Sequence, residues 1–455
     1  MVSDQAGQDG PAPRPADWTA PRAASPVHAV VRLPGSKSMT NRALIIAALA
    51  SSPTLINGPL AARDTRLMAG ALRALGCRID EGEHEWRVEP PLARPPAVGP
   101  GEDASAGIDV GNAGTVLRFV PPVAALGRAD VRFTGDPRIA RRPVRPLLDA
   151  LRELGAEIQD DGTGSVPFTV LGHGAVPGGA VSIDASSSSQ FVSGLLLAGA
   201  RFGSGVRITH RGPPVPSAPH IEMTVRMLRA AGVRVEGPGN TAGQDETQPT
   251  WRVWPGPVSA GRIEVEPDLS NALPFLAAAL ATGGEVTMPG WPCGSLQPAS
   301  RIVELLVSMG ASVRHGPDGL TVRGSGRIGG VLADLSEVGE LTPVLTALAA
   351  LAGSPSEFTG IGHLRRHESD RLAALTAELG KLGGDVTETA DGLRIRPAPL
   401  HPARDGFDSH DDHRLVMAAA VLGLVTDGLI VRNAATVAKT FPGFTAAWTG
   451  LLAPA

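Results

Sequence analysis

The chain has 455 residues, 42% of them hydrophobic and 19% charged, with a formal net charge of −4. This is the make-up of a water-soluble globular protein of two or three domains, and it excludes the overall basic field that nucleic acids or anionic membranes attract. Its two cysteines, Cys77 and Cys293, cannot build a disulfide scaffold and point to a reducing compartment. No Cys or His stands in metal-ligand spacing, so no metal site is expected.

In chain order, residues 1–26 come first. They are rich in Pro, Gly, Ala and Asp, lack an apolar stretch, and read as a disordered tail, not as a targeting signal. From Pro34, "PGSKSMTNRALIIAALA" reads as a polar turn leading into an Ala/Leu-rich helix. Its Gly-Ser-Lys-Ser core is no triphosphate-binding P-loop, because Ser36 and Val31 occupy the places that need glycine. The apolar part is too short to span a bilayer, and the cytoplasm is the expected location. At Leu72, "LRALGCRI" predicts a helix that ends on a left-handed Gly and passes into a strand, followed by the alternating strand "EWRVEP".

The two elements then return in step. The turn-and-helix recurs at "VGNAGTVLRFVPPVAAL" (110), "ASSSSQFVSGLLLAG" (185), "PDLSNALPFLAAAL" (267), "SEVGELTPVLTALAAL" (336) and "HDDHRLVMAAAVLGL" (410). The helix-Gly-strand recurs from Leu151, Leu228, Leu306 and Leu379, and "FTAAWTGLL" is expected to supply its sixth copy. Six βα-rich units of roughly 75 residues, grouped three plus three, account for this spacing.

The turn-and-helix segments are apolar nearly all round, so they are expected inside each domain with their polar starts emerging at one end. Six such starts, each with unsatisfied N–H groups, form a face that attracts anions. The residues placed there are Lys37, Ser38 and Arg42; Asn112, Gly114, Thr115 and Arg118; Ser188, Ser189 and Gln190; Asp268 and Asn271; Glu340; and Asp412, His413 and Arg414. Ser, Asn and Asp are ordinary helix caps. Lys37, Arg42, Arg118 and Arg414 are not, since a cation in the first turn opposes the helix dipole, and this conflict points to a bound anion. Further cations stand between the helix starts: Arg138, Arg141, Arg142 and Arg145, then Arg365, Arg366, His367 and Arg371, and Lys439. Glu340 and Asp268 are the acidic candidates for proton transfer or hydroxyl binding.

"LPGSKSMTNRAL", "GNAGTVLR", "GDPRIARRPV", "SSSQF", "HESDRL", "DDHRLVMA" and "AKTFPGF" resemble, in order and spacing, the signatures of the 3-phosphoshikimate 1-carboxyvinyltransferase (EPSP synthase) family from about residue 28 onward. The resemblance implies an α/β fold, a two-domain inside-out α/β barrel with six βαβαββ units, three per domain, and the active site in the interdomain cleft. It places residues 27–34 with 263–455 in one domain and 35–262 in the other. It implies a monomer that acts on phosphoenolpyruvate and shikimate 3-phosphate, with no cofactor, nucleic acid or membrane involved.

Carried over by position, shikimate 3-phosphate would meet Lys37, Ser38, Arg42, Ser188, Ser189, Gln190, Ser217, Glu340 and His367. Phosphoenolpyruvate and its departing phosphate would meet Lys37, Gly114, Arg142, Gln190, Arg371, Arg414 and Lys439. Glu340 would take the substrate hydroxyl proton, with Lys37 or Glu368 delivering a proton to C3. The chain departs from the commonest family pattern where Glu340 stands for Asp, His363 and His367 for Asn and Lys, His220 for Tyr, and Phe119 for Pro. UDP-N-acetylglucosamine 1-carboxyvinyltransferase shares the chemistry, but it usually carries a loop Cys where "DPRIARRP" has Arg138.

Overall fold

A computed structural model of the chain describes residues 17–91, 106–238 and 248–452. Among these, twelve α-helices follow in chain order: α1 (Lys37–Ala48), α2 (Arg63–Ala74), α3 (Gly114–Ala124), α4 (Arg145–Glu153), α5 (Gln190–Gly199), α6 (Pro219–Ala230), α7 (Leu269–Thr282), α8 (Ala299–Ser308), α9 (Thr342–Ala350), α10 (Arg371–Lys381), α11 (His413–Gly423) and α12 (Phe444–Leu451). The odd-numbered helices are the six turn-and-helix segments. All of α3, α9 and α11 is buried, because no face of these helices carries enough polar side chains to meet water. The even-numbered helices from α2 to α10 bury one stripe each, and each passes through a left-handed Gly into a strand, as at Gly76 (φ 93°) and Gly310 (φ 101°).

Each unit makes a small sheet. In one, Ala106–Asp109 and Val131–Thr134 are parallel and joined through α3, whereas Phe168–Leu171 and Glu157–Asp160 add on as an antiparallel hairpin. Four more four-stranded sheets share this order. Odd helices pack on one another, as α3 on α5 and α9 on α11, so that the helices lie inside and the sheets outside. One apolar core gathers residues from Met39 to Val258, and a second gathers Ala20, Val27 and residues from Leu269 to Leu451.

The chain crosses between the halves twice, side by side. Strand His28–Val30, which precedes α1, pairs with Glu285–Met288 in the second half, and strand Arg262–Glu264, which precedes α7, pairs with Thr54–Asn57 in the first. Gly35 bridges Pro267 at the crossing, where a Cβ on Gly35 would stand 2.0 Å from the Gly58 carbonyl oxygen. The sequence boundary at 262 therefore cuts a strand whose pairing keeps residues 263–264 with the first half.

Two further expectations need correction. The tail does not reach residue 26: Trp18–Thr19 is a strand paired antiparallel with Ile430–Arg432, Trp18 meets the Phe444 ring edge-on, and Asp17 accepts hydrogen bonds from Arg432 and Asn433. Residues 1–16 of the expected tail lie outside the described residues. Among the described residues, the sixth unit runs to α12 with no hairpin after it. Its three-stranded sheet instead borrows Trp18–Thr19 in the place where other units put their antiparallel strand.

Candidate active site

All six odd helices start at one cleft between the halves, which is lined by residues 36–38, 114–115, 187–190, 268–270, 340–341 and 413–414. Ser36, Asp268 and Asp412 cap α1, α7 and α11 with their side chains. α3 and α9 start without a side-chain cap, which leaves their first N–H groups without that acceptor. Every residue expected to bind substrate or move a proton lines this cleft except Lys439. Lys439 sits behind it, 5% exposed, with Nζ donating to Asn112 O and to Glu368 Oε1, both at 3.1 Å.

A buried charge network forms the cleft floor. Glu368 faces Lys439 at 3.1 Å, Arg371 at 3.0 Å and Arg142 at 3.7 Å. Burial pushes its carboxyl up, but Lys439, Arg142 and Arg371 outweigh burial and hold it well below the usual carboxylate range. Arg371 also grips Asp412, through Nε at 2.8 Å and Nη2 at 3.2 Å, so the cap of α11 doubles as an arginine clamp. Lys37 Nζ donates to Asp64 at 3.2 Å, while burial, helped by Lys439 and Arg414, keeps its ammonium below the ordinary lysine value despite Asp64.

Glu340 sits across the cleft on a short 3₁₀ turn, Gly339–Leu341, that leads into α9. Burial alone would raise its carboxyl; His220 and Arg414 outweigh this and leave it below the ordinary value. Burial, with Arg371 adding to it, keeps His367 well below its ordinary value, so it is neutral, and its Nδ1 lies 3.3 Å from Arg371 Nη1. His413 is likewise neutral, through burial and Arg414.

Several of these cleft-lining candidates also bond within the scaffold. Asp268 spends both oxygens on the backbone and hydroxyl of 270–271 and on Lys37 N. Arg42, 1% exposed, donates to Thr224, Ser38 O and His220 O. Arg118 holds Gln190 Oε1 at 2.8 Å. Of the arginine run only Arg142 enters the cleft: Arg145 bonds Gly162 O, and Arg138 reaches over to His410 O, Glu368 O and Asp411. Gly114 leaves room first of all for protein, since a Cβ there would lie 2.6 Å from Arg142 Nη2. Asp64, 2% exposed and in reach of both Lys37 and Lys439 (3.9 Å), escaped sequence reasoning, because an acidic residue in the first turn of α2 reads as ordinary helix chemistry.

Two α/β halves, each with apolar helices inside, that converge six helix starts and seven cationic side chains on one set of buried carboxylates define an enolpyruvyl-transferase type of architecture, suited to phosphate and carboxylate together. The family model for EPSP synthase (3-phosphoshikimate 1-carboxyvinyltransferase) matches residues 21–448, and the chain belongs to that family. The structure is similar to an EPSP synthase from Acinetobacter baumannii, with 25% identity, 96% of this chain and 98% of that one covered, and a TM-score of 0.75. In fold alone it is similar to the enolpyruvyl transferase NikO from Streptomyces tendae, with 19% identity, 94% and 96% covered, and a TM-score of 0.69. The family reaction transfers the enolpyruvyl group of phosphoenolpyruvate to the 5-hydroxyl of shikimate 3-phosphate and releases phosphate, in the shikimate pathway to aromatic amino acids.

Proposed function

We propose that this reaction runs in the cleft with Glu340 as base and Lys37 as acid, in a cytoplasmic monomer whose two domains, 35–265 and the rest, meet around the substrates. The observation that carries this reading is the position of Glu340 and Lys37 on opposite halves of one cleft. Glu340, kept ionised, accepts the 5-hydroxyl proton as the oxygen adds to C2 of phosphoenolpyruvate. Lys37, an ammonium of lowered proton affinity, gives a proton to C3. The C2–O bond to phosphate then breaks as C3 returns its proton to Lys37 and the proton held by Glu340 passes to the departing phosphate, which leaves the enolpyruvyl ether and both residues in their starting states. Glu368, held ionised by three cations, is unsuited to the donor role and instead keeps Arg142, Arg371 and Lys439 in place. Arg142, Arg371 and Arg414 match the charge of phosphoenolpyruvate, while Ser188, Ser189, Gln190 and Ser217 hold shikimate 3-phosphate from the first half. His367 adds a neutral donor.

Purified protein mixed with both substrates is expected to release phosphate, and Glu340→Gln is expected to lower kcat by roughly 10²–10⁴-fold with the fold intact. Phosphate release by the variant at the parent rate would remove Glu340 as base.

A further inference from the structure

His220 reads in the sequence only as a departure from a more usual Tyr, yet it stands where the halves touch at the proton-accepting carboxylate. Its Nε2 lies 3.6 Å from Glu340 Oε1, with side chains 23% and 17% exposed. Two residues of the first half fix its backbone: Arg42 Nη2 and Thr224 Oγ1 both donate to His220 O at 3.0 Å. Three residues upstream, Ser217 takes the strained φ of 53° and donates its N–H to Ser336 O at 2.8 Å, four residues before Glu340. The start of α6 is therefore tied to the turn that carries Glu340, from the opposite side of the cleft.

We propose that His220 is a positioning residue: it aims the Glu340 carboxylate at the substrate hydroxyl from the opposite half, so that the base is in place only while the halves are together. This rests on the reading of Glu340 as base. The other charged or titratable groups around Glu340 are Arg414 on α11, Arg371 on α10 and His363 on the turn before it. Arg414 and Arg371 are already engaged, Arg414 with Ser270 Oγ at 2.6 Å and Arg371 with Asp412 and Glu368. His363 packs against Gly339, where an added Cβ would meet its Nε2 at 2.8 Å, and burial lowers its proton affinity. His220 is the group that approaches the carboxylate from the first half. Its loss also removes an interaction that holds Glu340 ionised, so the acid limb of kcat should move to higher pH.

The test compares His220→Leu and His220→Gln in the full chain, following phosphate release with phosphoenolpyruvate and shikimate 3-phosphate over a pH series. Gln keeps an N–H donor and does not titrate. His220→Leu is expected to lower kcat about 10-fold, the scale of a modest misplacement of the base, with both KM values within about 2-fold. Its acid limb should rise in pH, and His220→Gln should recover most of the rate. Unchanged kcat and acid limb in His220→Leu would overturn the proposal, as would a loss seen only in KM. Glu340→Gln, run alongside, separates the failures: if it stays active the base assignment falls, and if it is inactive while His220→Leu is normal, only the role of His220 falls.

Discussion

At the scale of single residues, the cleft sorts chemically similar groups by what surrounds them. Glu340 and Glu368 both line the cleft, but Glu368 is buried and saturated by Lys439, Arg142 and Arg371, whereas Glu340 is partly exposed and meets the His220 imidazole. Lys37→Met is expected to lower kcat by at least about 10²-fold, because the acid is lost along with a charge beside both anions. Assay of phosphate release with melting measured in parallel separates this from unfolding. Lys37 and Arg414 were legible as residues of this cleft because a cation at a helix start breaks a local rule. Asp64 obeyed the local rule and so gave no signal; only folding reveals that it joins Lys37 and Lys439. Arg42, read from the same signal, lines the cleft while its guanidinium also bonds Thr224, Ser38 and His220.

At the scale of elements, repeat spacing carried most of the fold, because five left-handed glycines and six helices apolar nearly all round are strong local signals. What local signals could not show was pairing between distant segments, such as Arg262–Glu264 with Thr54–Asn57. The start of α3 is a useful test of how tightly these ends are built. Gly114→Ala places a Cβ 2.6 Å from Arg142 Nη2, a movable side chain, so the protein is expected to fold normally while Arg142 shifts. KM for phosphoenolpyruvate should then rise roughly tenfold with little change in melting temperature, the scale of one charge-assisted hydrogen bond disturbed. The turn before α11 tests stability. His410 (φ 50°) pairs with buried Glu378 at 2.8 Å; the bond to Glu378 raises the His410 value above 6.5, and His410 with Lys381 outweighs burial to lower Glu378 below 4.5. The His410 contribution is complete below its unfolded value, about 6.5, and is lost as pH rises through the higher folded value. The Glu378 contribution is complete above about 4.5 and lost as pH falls through the lower folded value. Melting temperature should therefore decline above about pH 6.5, and His410→Gln should flatten that decline.

At the scale of the whole molecule, the second half depends on contacts between the ends of the described chain. Trp18→Ala removes the edge-on contact with Phe444, part of a cluster with Phe275, Phe441 and Trp448, and is expected to cost about 2 kcal/mol, seen as a drop in melting temperature of about 5 °C. The strand His28–Val30 waits for Glu285–Met288, and Trp18–Thr19 waits for Ile430–Arg432, whereas the first half draws its strands from residues 54–264 alone. During synthesis at about 5–20 residues per second, Trp18 leaves the ribosome roughly 20–80 s before its partner strand does. The first half can be finished in that interval as an island between two unfinished flanks. The same double crossing that sets two halves around a cleft thus makes all strands of the first half available before the second half has its last one.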